Sequence, residues 1–146
     1  MQRSILTLGV FVVALGEAVI PAALGSSRAE YRIIVHPNNP VVRLDRGFVA
    51  RAFLKKVNDW PHGDAIRPVN LPGDSNVREA FDEEVLIRSV SAVRNYWQQR
   101  IFSGGALPPP ELGEEEVVEY VLQHRGAIGY VSDRTDIRSA KVLILE

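Results

Sequence analysis

The chain has no cysteine, which excludes disulfides, thiolate metal sites and thiol nucleophiles. Histidine is scarce. His36, His62 and His124 lie in three separate segments without the paired spacing of a zinc site, so a metal has no support in the sequence. An excess of positive charge is also missing. With 17 basic and 18 acidic residues the formal charge is −1, whereas nucleic-acid binders carry a basic surplus to neutralise phosphates. Ser, His and Asp are present, yet no nucleophile elbow or other activated-nucleophile pattern joins them, so the sequence argues for no enzyme and calls for no cofactor. Long apolar runs are absent after the first quarter of the chain, where nothing approaches the roughly 20 residues that a membrane-spanning helix requires.

What the first quarter holds is an export signal. Arg3 provides a positive start, Ile5 to Leu15 an apolar stretch too short to span a bilayer, and small residues follow. Glu17 and Pro21 interrupt any extension. Two cleavage points fit the small-residue rule, before Ser26 and before Glu30; the second is preferred. The expected organisation is a signal peptide over 1–29 and one domain over 30–146, a common single-domain size. Without Arg3, Arg28 and Glu17 the 17 basic and 18 acidic residues fall to 15 and 17.

Strands and helices alternate along the rest. Tyr31 to Val35 reads as a buried strand stopped by His36-Pro37-Asn38-Asn39-Pro40. Phe48, Val49, Ala52, Phe53 and Val57 recur at helical spacing behind Asp45, a candidate N-cap. Ile66 to Leu71 reads as a second strand, and Pro68 assigns it to an edge or a bulge. After the loop Pro72 to Asn76, a helix presents Val77, Ala80, Phe81, Val85 and Leu86 on one face. Another helix spans Ser91 to Phe102, and Pro108-Pro109-Pro110 forms a stiff connection. A helix that begins at Glu114 to Glu116 carries Val117, Val118, Val121 and Leu122, its acids suited to the positive end of the dipole and expected to be solvated. Gly126 to Val131 and Lys141 to Leu145 close the chain as strands. Trp60, Tyr96, Trp97 and Phe102 are expected in the core. The class is α/β with a mixed or largely parallel sheet.

Chemistry is most concentrated at Asp74-Ser75-Asn76-Val77-Arg78, where a helix begins. Free N–H groups and the dipole there favour an anion, with the Ser75 hydroxyl and the Arg78 guanidinium as further donors. The same residue types are an ordinary cap, and Glu79 lies where a capping box from Asn76 would put its acid.

In order, Pro37-Asn38-Asn39-Pro40, the stretch Phe48 to Val57, Trp60-Pro61-His62-Gly63, Ile66-Arg67-Pro68-Val69, Asp74 to Phe81, Trp97 to Phe102 and Gly126-Ala127-Ile128-Gly129-Tyr130-Val131 resemble segments of the phosphate-type periplasmic solute-binding proteins of ABC transporters. The resemblance implies a single lobe of a type 2 periplasmic-binding-protein-like fold, a small mixed sheet flanked by helices. It implies a periplasmic location and phosphate or a related oxyanion as ligand at Asp74, Ser75, Asn76, Val77 and Arg78; an envelope transporter, porin or sensor is the expected partner if the domain is instead an accessory one. The family's loop reads Ser-Gly-Thr. Here Asn76 stands for the glycine and Val77 for the threonine, and Leu71 occupies the position of the arginine four residues before the serine. The alternative is an accessory or protein-interaction domain that keeps the fold without tight anion binding.

Overall fold

The computed structural model describes residues 28–146. The expected signal segment up to residue 27 lies outside the described residues.

Five strands form one mixed sheet in the order β2-β5-β1-β4-β3. β1 (Tyr31–Val35) is central, and its Ile33, Ile34 and Val35 are buried on both faces. It runs antiparallel to β4 (Ala127–Ser132) and to β5 (Lys141–Leu145). β2 (Arg43–Leu44) adds to β5 in parallel, and β3 (Arg67–Pro68) adds to β4 in parallel. Pro68 therefore lies on an edge strand, where a missing N–H costs no ladder bond.

Because successive side chains alternate faces, the register sorts the core. Ile34 lies opposite both Gly129 and Val142, on the face that helix α4 (Glu114–Gln123) covers. A Cβ on Gly129 would stand 2.6 Å from Val117 Cγ1 and 2.9 Å from Val69 Cγ1, so only glycine lets α4 approach this closely. Tyr130, on the opposite face, stacks on Phe81 at 3.8 Å between ring centres and packs against Phe53 at 5.7 Å. Phe53 comes from α1 (Arg46–Phe53) and Phe81 from α2 (Asn76–Phe81).

Local chemistry explains the helix ends. Asp45 caps α1 by accepting the Phe48 N–H at 2.9 Å. α1 stops at Phe53, and Lys55 follows in the left-handed region at φ 52°, so Val57 lies beyond the helix that its spacing suggested. The expected continuous helix after the loop is divided. α2 passes into a π-helical turn at Asp82–Leu86, which ends with Ile87 left-handed at φ 53°, while Ala80, Phe81, Val85 and Leu86 remain buried. α3 (Val90–Phe102) begins at Ser89, whose Oγ accepts the Ala92 N–H at 3.1 Å.

Of the four aromatics expected in the core, Trp60 and Trp97 are buried and Tyr96 is half-buried, its hydroxyl donating to the Leu54 carbonyl at 2.7 Å. Phe102 lies outside the core, against that expectation. It is 89 % exposed because α3 ends there, beyond the turn that Trp97 anchors. The acids that open α4 are not all solvated either. Glu114 accepts the Ser132 N–H at 2.7 Å and the Thr135 hydroxyl at 3.1 Å, tying the helix start to the end of β4.

Candidate functional site at the start of the second helix

The turn between β3 and α2 is held from both sides. Asn70 donates its N–H to the Pro110 carbonyl at 2.8 Å, and its own carbonyl accepts from Leu112 at 2.9 Å. The proline segment thus fixes where the turn begins. The Ser75 N–H donates to Pro72 at 3.0 Å, which closes the turn.

Ser75 is the N-cap: its Oγ accepts the Arg78 N–H at 3.2 Å. The cap lies one residue earlier than the capping-box spacing of Asn76 and Glu79 suggested. A serine hydroxyl that accepts this bond still has its own hydrogen to donate outward. The N–H groups of Asn76 and Val77 belong to the first turn, which has no intrahelical acceptors. Asp74 and Asn76 are exposed and Ser75 and Val77 half-buried. Asp74, Ser75, Glu79 and Glu83 line one shallow depression there, so carboxylates stand beside the free donors.

Arg78 points the other way. Its side chain is 5 % exposed; Nε donates to Asp82 Oδ2 at 2.8 Å, and Nη1 donates to the Leu71 carbonyl at 2.7 Å and to Glu111 Oε1 at 3.3 Å. Asp82 is fully buried, and its Oδ1 has no partner among the described residues. Burial pushes the Asp82 carboxyl up from its ordinary range, against the pull of Arg78. For Arg78, burial opposes the charge, but Tyr130 and Asp82 outweigh it and the guanidinium is held above its usual value. Tyr130 completes the group. Its hydroxyl donates to Asn70 Oδ1 at 2.8 Å and receives the Leu71 N–H at 3.5 Å, and burial first of all raises it.

The structure therefore brings Asp74, Ser75, Asn76 and Val77 together on the outer turn and commits the Arg78 guanidinium to the interior behind it. The i,i+4 spacing of Arg78 and Asp82 was a usable signal for their pairing. Asn70, Tyr130 and Glu111 carry no local sign of joining them. The three histidines go to local bonds. His36 Nδ1 accepts the Asn38 N–H, His62 Nε2 lies 3.3 Å from Asp64 Oδ2, and His124 Nδ1 lies 2.9 Å from the Tyr120 carbonyl.

No protein-family model and no curated protein matches this sequence. Solved structures do match its fold. A chain assigned as a phosphate ABC transporter substrate-binding protein from Clostridium perfringens, solved with bound phosphate, is 22 % identical with a TM-score of 0.62, over 80 % of this chain and 45 % of that one. An ABC-type phosphate transport receptor from Vibrio cholerae is 18 % identical with a TM-score of 0.62, over 80 % and 46 %. PstS from Borrelia burgdorferi is 11 % identical with a TM-score of 0.61, over 81 % and 47 %. The chain thus spans less than half the length of these structures. Residues 28–146 have the fold of a single lobe of the phosphate ABC transporter substrate-binding proteins.

Proposed function

We propose that the chain is a periplasmic solute-binding lobe, not an enzyme, that takes phosphate or a related oxyanion at the Asp74–Val77 turn. The observation that carries the reading is the Ser75 cap. It fixes a helix start at which the Asn76 and Val77 N–H groups stay available, on a lobe whose structural neighbours are phosphate-transport proteins. Arg78 acts from behind as a positioning residue, since Nη1 holds the Leu71 carbonyl and so the entry to the turn. Asp74, as an acceptor only, favours an oxyanion that still carries a proton, such as monohydrogen phosphate, over sulfate.

One lobe supplies few donors against the hydration of a dianion, so the expected affinity is weak, about millimolar. Calorimetry of the exported protein with phosphate, sulfate, molybdate and tungstate tests the reading. Heat with phosphate that falls in a Ser75→Ala variant is the expected result, and no heat with any of the four ends it.

A second reading has its own observation. Asp74, Glu79 and Glu83 share the depression with Ser75 and repel anions, which suits an accessory domain docking on an envelope transporter, porin or sensor. A specific partner retained from envelope extract, with no anion heat, is the outcome that selects it. Export places the working protein outside the cytoplasm, most economically in a periplasm. Cleavage before Glu30 removes Arg28 and its 2.7 Å ion pair with Glu83, whereas cleavage before Ser26 keeps it; N-terminal sequencing of the exported form decides between them.

A further inference from the structure

On the inner side of Gly73, away from Ser75, Asn76 and Val77, a cavity of about 200 Å³ opens between the loop from Asn70, helix α3 and the proline segment. We propose that it is a second ligand site, for a small organic monocarboxylate with an apolar body. The proposal is independent of oxyanion binding at the outer turn.

Arg78, the buried cation among the described residues, lines this cavity. Arg78 spends Nε on Asp82 and Nη1 on Leu71 and Glu111, and Nη2 has no partner among the described residues. A guanidinium nitrogen in a 5 % exposed side chain gains most from a charged acceptor, because few waters compete for it. Arg94 stands at the rim. Its Nη2 lies 3.5 Å from the point where a Cβ on Gly73 would be, over the same opening.

Charge selects the valence of the ligand. Arg78 is already paired with Asp82 at 2.8 Å and with Glu111 at 3.3 Å, which leaves Arg94 as the cation of the lining with no carboxylate partner among the described residues. One such cation matches a monoanion. The walls select its body: Val90, Ile101, Pro108, Pro109 and the ring of Trp97 offer apolar surface, with Asn70 and Gln98 as the neutral polar side chains of the lining. A bare oxyanion placed there would lose hydration on the faces turned to the apolar side chains, whereas an aromatic or short aliphatic acid covers them. Size sets the upper limit, since the cavity is smaller than the roughly 300–1,000 Å³ of ordinary small-molecule sites. Benzoate is therefore the probe of choice.

The chain has two tryptophans and so two indole N–H resonances. Trp60 Nε1 donates to the Gly126 carbonyl at 2.9 Å, while Trp97 Nε1 is buried without a partner among the described residues, so the two are separable reporters in an ¹⁵N-labelled sample. The expected result is a saturable shift of the Trp97 resonance with benzoate at about millimolar midpoint and no response of that resonance to inorganic phosphate. Arg94→Glu, at an exposed position, raises the midpoint about tenfold or more. Ile101→Trp, also at an exposed position, fills the cavity and removes saturation while the rest of the amide spectrum is retained. Three results overturn the proposal: a shift that stays linear to about 30 mM, saturation that survives Ile101→Trp, or movement confined to the Asn76 and Val77 amides. The last would make benzoate an ordinary anion at the outer turn.

Discussion

Arg78 Nε and Asp82 Oδ2 are 2.8 Å apart, one helical turn apart in sequence, with side chains 5 % and 0 % exposed. A pair buried this deeply costs desolvation on both sides, so removing one partner leaves an uncompensated charge, whereas replacing both with apolar residues is tolerated. Arg78→Ala is expected to destabilise by about 3–5 kcal/mol in urea unfolding, and Arg78→Met with Asp82→Leu to recover most of that loss. A double variant no more stable than the single one would show that the pair itself, rather than the unpaired charge, is what matters. The experiment also separates folding from binding at a residue whose charge invites assignment to the ligand.

Ser75 offers a cleaner separation. Ser75→Ala removes the cap and is expected to cost about 1 kcal/mol together with several-fold in phosphate affinity. Ser75→Asp keeps a cap acceptor, so stability is expected within about 0.5 kcal/mol of the parent, while the added carboxylate abolishes anion heat. Thermal unfolding and calorimetry on the two variants check both statements.

The acids beside the turn are expected to act on the proposed phosphate equilibrium in the opposite sense. Glu79 and Glu83 line the depression that holds Ser75, and the double variant Glu79→Gln, Glu83→Gln is expected to strengthen phosphate binding two- to fivefold, about 0.4–1 kcal/mol, at low salt. The gain should shrink as ionic strength rises, because exposed charges are screened within about 10 Å at 0.1 M. Equal affinity at low and high salt would count against an electrostatic role for either residue.

Gly129 sets the distance between sheet and helix. A Cβ there would press within 2.6 Å of Val117 and 2.9 Å of Val69, so Gly129→Ala is expected to destabilise by about 1–3 kcal/mol through overpacking. Chemical denaturation measures it. An unchanged midpoint would mean that α4 shifts on the sheet without penalty.

Alkaline stability follows from two tyrosines. Burial, helped by Glu84, pushes Tyr31 up to about 12, and burial raises Tyr130 as well. The unfolded phenols ionise near 10, so above that pH the folded state holds protons that the unfolded state has released, and stability declines as pH rises. Tyrosinate absorbance from these two residues should therefore appear late and coincide with loss of the near-ultraviolet dichroism that Tyr130, Phe81 and Phe53 generate by packing. Ionisation completed before any loss of structure would contradict the assigned burial.

The sequence features that needed no tertiary context were the strands Tyr31–Val35 and Lys141–Leu145, the Asp45 cap, the restriction of Pro68 to an edge or a bulge, and the helix start after the loop. Each follows from a local rule: an apolar run bounded by breakers, a short polar side chain before an apolar period, or a proline unable to donate. The sequence also named Asp74 to Arg78 as candidate site residues. Tertiary structure alone decided the direction of Arg78, because the partners that turn it inward, the Leu71 carbonyl and Glu111, are assembled by the Asn70–Pro110 bond and by Tyr130, 60 residues beyond Asn70. It decided the exposure of Phe102 as well, since helical spacing names a face but not where the packed surface ends. The division of one charged pentapeptide into an outer turn and a buried cation is a long-range event, fixed by burial and hydrogen-bond satisfaction rather than by neighbours in the chain.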